Sequence, residues 1–177
     1  MRIISGTHKG RKLTAPKNLP VRPTTDFAKE ALFNILRGRY YFDEIAVLDL
    51  FAGTGNISFE FASRGVPRIT AVDGHWGCVQ YINKVSQEFE FPIAAIKADV
   101  NKYLDHASGA YDIIFADPPY DFPPEVLKRL VEVIVDISLL NSEGILIIEH
   151  AKQNDLSSFP HFVEARKYGS SVFSFFN

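Results

Sequence analysis

Val47-Leu48-Asp49-Leu50-Phe51-Ala52-Gly53-Thr54-Gly55-Asn56 decides the fold of this chain. A short apolar run carrying one acid passes into a turn with two glycines, and a helical pattern begins at once. Glycine permits positive φ and lets backbone come close to a ligand. A strand entering such a turn is the opening unit of an open α/β sheet, where ligands bind beyond the carboxyl ends of the strands.

Outward from that unit the pattern alternates. Residues 45–50, 69–73, 93–98, 111–116 and 145–149 read as strands, with helical stretches near 56–64, 75–89, 100–107 and 124–137. Short apolar runs separated by helices imply a mostly parallel sheet covered on both faces. Residues 162–168 and 171–176 flank Gly169-Ser170 and read as an antiparallel hairpin. An α/β fold of this kind, a mostly parallel sheet with an antiparallel C-terminal hairpin, is the Rossmann-like arrangement of the class I methyltransferases. The N-terminal residues add a small β-hairpin around Gly6–Gly10, a Pro-punctuated linker, and a helix capped by Thr25 or Asp26 that ends near Gly38. The reading divides the chain into an extension, residues 1–40, and a body, residues 41–177.

At 177 residues and 46% hydrophobic composition the chain suits one domain with a full core. No apolar run is long enough to span a membrane, and no signal-peptide pattern opens the chain, so the expected location is cytoplasmic. A single cysteine, Cys78, excludes an internal disulfide, and the five histidines lack metal-ligand spacing, so no metal is expected. The net charge of −2 conceals a division. Residues 1–39 carry nine Lys/Arg against Asp26 and Glu30, a balance of +7. The remainder carries ten against nineteen acids, a balance of −9. A basic arm on an acidic body points to a polyanion at one end.

Acids recur at the strand ends. Asp73 lies 20 residues beyond Gly53, where a carboxylate can accept from ribose hydroxyls. Asp99 closes the third strand, within reach of an adenine amine, and Asp49 is placed to orient an ammonium group. With the glycines, these suggest a nucleoside-like cofactor. Ser58 stands where a dinucleotide fingerprint places its third glycine, which disfavours a nicotinamide oxidoreductase.

Asp117-Pro118-Pro119-Tyr120 follows the buried run Ile113–Ala116. Consecutive prolines fix φ and stiffen the turn. The Asp117 carboxylate and Pro118 carbonyl then form two fixed acceptors, a match for the two N–H groups of an exocyclic amine. Tyr120 can stack on the base that bears it. Methyl transfer from S-adenosylmethionine to a nucleobase amine fits both halves and requires neither metal nor covalent nucleophile.

Three segments carry a family resemblance: Arg2–Gly6 with Gly10–Leu13, Arg22–Asp26 running into Lys29–Leu36, and the two motifs above. Together they resemble the RsmD-like 16S rRNA guanine-N2 methyltransferases over nearly the whole chain. The resemblance implies cofactor contacts at Asp49, Phe51, Ala52, Gly53, Gly55, Asp73 and Asp99, and catalysis at Asp117, Pro118, Pro119 and Tyr120. It implies RNA contacts at Lys9, Arg11, Lys12, Arg22, Thr25 and Lys29, with a monomer acting on 16S rRNA in an assembled or assembling 30S subunit. Two departures stand out: Asp73-Gly74-His75 replaces a Glu-charged pair, and Asn56–Glu60 is bulkier than the usual small-residue run. An adenine-N6 or other amino-methyltransferase of DNA or RNA shares the acceptor chemistry. A non-catalytic RNA-binding protein is the remaining alternative, disfavoured by the intact motifs.

Overall fold

A computed structural model describes residues 1–16, 19 and 24–177. Seven strands form one sheet: β1 (Ala46–Leu50), β2 (Arg68–Asp73), β3 (Ile93–Lys97), β4 (Tyr111–Ala116), β5 (Leu140–Ala151), β6 (Phe162–Tyr168) and β7 (Ser171–Phe176). Their order is β3-β2-β1-β4-β5-β7-β6. The first five are parallel, and β7 runs antiparallel to both β5 and β6. The order reverses between β1 and β4, so connections leave these neighbours in opposite directions and open a crevice at their carboxyl ends.

Alternation along the strands separates two core layers. Val47, Ile113, Phe115, Ile145 and Ile147 face α1 (Asp26–Arg37), α2 (Asn56–Ser63) and α3 (Trp76–Phe89). Leu48, Leu50, Ile114, Ala116, Leu146 and Ile148 face α4 (Val100–Leu104) and α5 (Pro124–Asp136). The same alternation turns Asp49 toward the first layer, where α2 begins. All eight residues of α2 are buried, because sheet, N-terminal arm and α1 enclose it.

The arm shares the core of the body. Ile3, Leu13, Ala28, Leu32, Phe33 and Leu36 join the cluster built on α2, α3 and the sheet. Thr25 caps α1 by accepting from Ala28 N, and Gly38 closes it, as the sequence predicts. The expected N-terminal hairpin is reduced to one antiparallel bridge, Arg2 to Lys12, beside Gly10 N donating to Ile3 O. Its ladder stops there because Ile4 N and Ser5 N turn away to the Glu60 carboxylate at 2.8 and 3.1 Å.

Candidate active site

A cavity of about 480 Å³ opens at the carboxyl ends of β1, β2 and β4. The turn after β1 is tightly wound. Phe51, Gly53 and Gly55 all have positive φ, +57°, +54° and +76°. The aromatic residue is strained there, and such strain collects where function holds a backbone shape. Gly55 N donates to Ala52 O at 2.8 Å, and Gly53 N donates to Asp73 Oδ2 at 2.8 Å. The other Asp73 oxygen accepts from His75 N at 2.7 Å. One carboxylate thereby sets both the glycine turn and the entrance to α3, while the remaining lone pairs of its two oxygens can still face a ligand.

Asp49 is buried below this turn. Its Oδ2 accepts from Ser58 N at 3.1 Å and Ser58 Oγ at 2.5 Å. Loss of solvent pushes its carboxyl up to about 7, against the lowering effect of the two Ser58 bonds. Ser58 therefore does more than fill the position of a missing glycine: it ties the strand-end acid to the first turn of α2. Cys78 also lines the cavity, and burial pushes its thiol up to about 11, with Asp73 adding to the effect. It is an unreactive wall at neutral pH.

Asp117–Tyr120 lies across the crevice. Asp117 N donates to Leu50 O at 3.3 Å, which fixes the end of β4 against the end of β1. Phe122 N donates to Pro119 O at 3.0 Å and closes the turn. Pro118 is buried, and Tyr120 stands at the rim with its hydroxyl 3.5 Å from Ser171 Oγ. The structure thus brings Asp49, Phe51, Ala52, Gly53, Asp73 and all four residues of Asp117–Tyr120 to one cavity. Gly55 sits just behind it, where an added Cβ would come within 2.9 Å of Ile82 Cγ1 and 3.0 Å of Phe59 Cζ. Both its left-handed φ and the packing of α2 against α3 require a glycine there.

Asp99 is exposed outside the cavity lining and accepts from Lys102 N, capping α4. Trp76 is likewise exposed and does not line the cavity. Sequence reading missed Thr24, Thr54 and Asn56, which line the wall beside the glycine turn. Thr24 and Asn56 belong to a buried polar chain. Lys29 Nζ donates to Asn56 Oδ1 at 2.8 Å and to Arg2 O at 2.7 Å. Asn56 Nδ2 donates to Thr24 O at 3.0 Å, and Thr24 Oγ1 donates to Glu149 Oε2 at 2.6 Å.

Lys29 corrects an expectation. It is 1% exposed and cannot present its charge to RNA. Burial lowers its ammonium from the ordinary lysine value, and the Glu60 carboxylate at 3.5 Å opposes that shift. Lys9, Arg11, Lys12 and Thr25 are exposed, whereas Arg22 lies outside the described residues. Arg11 also rests over the Phe89 ring at 5.1 Å. Among the described residues no cluster of His, Cys, Asp or Glu could hold a metal, and no helix is long and apolar enough to cross a membrane.

A crevice at the β1/β4 reversal, with acids at the ends of β1 and β2 and an Asp-Pro-Pro-Tyr turn opposite, defines a class I S-adenosylmethionine-dependent methyltransferase. The family described as Conserved hypothetical protein 95 matches residues 1–177. YlbH of Bacillus subtilis is 35% identical over 162 residues, spanning 88% of this chain and 85% of its own. Ribosomal RNA small subunit methyltransferase D of Escherichia coli is 30% identical over 168 residues, 90% of this chain and 79% of its own. The solved structure of yhhF from Escherichia coli superposes with a TM-score of 0.85 at 27% identity, covering 99% of this chain and 96% of that one. The chain belongs to the RsmD-like family of rRNA methyltransferases.

Proposed function

We propose that the chain methylates the exocyclic N2 amine of a guanine in 16S rRNA, acting as a monomer on an assembled or assembling 30S subunit in the cytoplasm. The observation that carries this reading is the convergence of the Asp73-anchored glycine turn and Asp117–Tyr120 on one cavity. The donor set suits the cofactor: carboxylates for ribose hydroxyls and an ammonium group, beside apolar surface from Phe51, Ile57 and Phe115. Bound there, S-adenosylmethionine supplies an electrophilic methyl group on a sulfonium.

The protein's own part is to hold and orient. Asp117 and the Pro118 carbonyl accept the two N2 hydrogens, which withdraws the nitrogen lone pair from the ring and aims it into the cavity. Tyr120 stacks on the base, which must leave its helix to reach the pocket. As N2 gains the methyl group it sheds one proton, and the Asp117 carboxylate takes it. Asp99, beyond the cavity lining at the end of β3, is assigned to the adenine side of the cofactor through the carboxylate oxygen that does not cap α4. Residues 1–40 form the RNA-contacting extension, through Lys9, Arg11, Lys12, Arg22 and Thr25.

The test is transfer of labelled methyl from S-adenosylmethionine to 30S particles lacking the modification, with nucleosides identified by mass spectrometry. N2-methylguanosine in 16S rRNA is the expected product. Label on adenine, or none on 16S rRNA, would overturn the substrate assignment.

A further inference from the structure

The wall of the cavity at Thr24 has a second side. A more open groove of about 620 Å³ is lined there by Arg2, Lys12, Thr14, Thr25 and Asp26, and it shares Thr24 with the cavity. Phe27 follows Asp26 and is 68% exposed, although the apolar stripe of α1 points into the core. Its ring meets Tyr168 edge-on at 6.1 Å. Tyr168 pairs in register with Ser171, whose hydroxyl lies 3.5 Å from that of Tyr120. Phe27, next in sequence to Asp26 of the groove, is therefore linked through Tyr168 and the buried Ser171 to Tyr120 at the mouth of the cavity.

We infer that this groove and Phe27 form a second subsite, which holds the nucleotide flanking the acceptor base in single-stranded RNA. This rests on the function proposed above. A base drawn into the cavity leaves its neighbour unstacked at the rim, and an exposed aromatic face replaces the lost stacking. The groove is suited to the accompanying phosphate. Arg2 neutralises Asp26 through Nε at 3.2 Å, and Lys12 adds an exposed positive charge. The hydroxyls of Thr14 and Thr25 offer donors beside it. Lys9 and Arg11, exposed on the same arm as Lys12, add positive charge that attracts a polyanion.

Phe27→Ala is the direct test, with Phe27→Trp and Phe27→Leu alongside. Loss of one stacked base predicts a rise of about tenfold in KM for the rRNA substrate. Affinity for S-adenosylmethionine, measured by calorimetry, and the melting temperature stay at the wild-type values. Phe27→Trp restores KM and Phe27→Leu does not. An unchanged KM in Phe27→Ala, or equal rescue by Leu and Trp, overturns the inference. If the wild-type protein methylates no 30S particle, the proposed function fails while the subsite is still read by binding. A fluorescent single-stranded oligoribonucleotide then binds Phe27→Ala more weakly than wild type, and equal affinity overturns the subsite.

Discussion

The glycine turn and the basic arm both depend on a carboxylate that receives backbone N–H groups, but they use it differently. At the turn, Asp73 holds Gly53 N and His75 N at the edge of the cavity, and its oxygens stay near the ligand space. Under the arm, Glu60 is fully buried and holds Ile4 N and Ser5 N together with Lys29 and Arg64. Arg64 in turn lies over the Phe33 ring at 4.5 Å. The first carboxylate shapes a site; the second fastens a segment. Charge in the arm follows the same division, with Lys29 spent inside and Lys9, Arg11 and Lys12 left outside.

The sharpest way to break the arm's side of this comparison is Glu60→Ala. It strands a buried lysine and two backbone donors, and removing one partner of a buried pair costs about 3–5 kcal/mol. Chemical denaturation is expected to show that loss. A loss below about 1 kcal/mol would mean that water reaches the network and the arm is only loosely attached.

Asp117→Ala tests the acceptor side of the cavity. A fall of about 10²–10³-fold in kcat is expected, by analogy with the loss of one preorganised polar contact at a reacting atom. Cofactor affinity is expected to change little, because the Asp73-anchored turn is untouched. Wild-type turnover in this variant would remove Asp117 from the chemistry.

Charge reversal at Lys9, Arg11 or Lys12 sharpens the distinction within the arm. Each is expected to reduce the slope of log affinity against log salt for the rRNA substrate by about one unit, with folding stability unaffected. Lys29→Met should do the opposite, lowering stability and leaving the slope alone. Identical salt slopes in all four variants would contradict the division.

The last test, confined to one pH window, is a pH dependence at Asp49. Its folded carboxyl stands near 7, above the ordinary 3.8. From about pH 4 to pH 7 the folded protein keeps a proton that the unfolded chain has released, so this group makes stability fall as pH rises through that window and level off above it. Asp49→Asn should remove that component, seen as a flatter melting-temperature profile between pH 5 and pH 8. An unchanged profile would mean that Asp49 ionises normally in the fold.

Most of this architecture was legible because strands buried on both faces leave apolar runs that glycine and proline punctuate. The strand β5 shows where that signal fails. It begins at Leu140, before Asn141-Ser142-Glu143-Gly144, a stretch with the composition of a turn. Pairing of Leu140 with Tyr111 across an irregularity in register carries the strand through those residues. Gly144 fits there because a Cβ would come within 2.8 Å of Asn141 O and 3.0 Å of Tyr111 O.

The site was legible where its chemistry lies in strand ends and hidden where it depends on burial. Lys29 looked like another surface cation, yet it lies three, four and seven residues before Leu32, Phe33 and Leu36, on the buried stripe of α1. That spacing was the available signal. Thr24 gave none, since only tertiary packing brings it to Asn56 and Glu149.

Gly6 holds a further consequence. Its φ is +85°, and a Cβ there would run into the Ser63 carbonyl at the end of α2. Ser63 Oγ also donates to Ser5 O, 58 residues earlier in the chain. The arm is therefore synthesised before the helix that receives it and takes its place only afterwards. At roughly 5–20 residues per second, it waits about 3–12 seconds for the helix that receives it. The surface proposed to meet RNA is completed only after the helix that closes the glycine turn exists, so pocket precedes arm in the order of assembly.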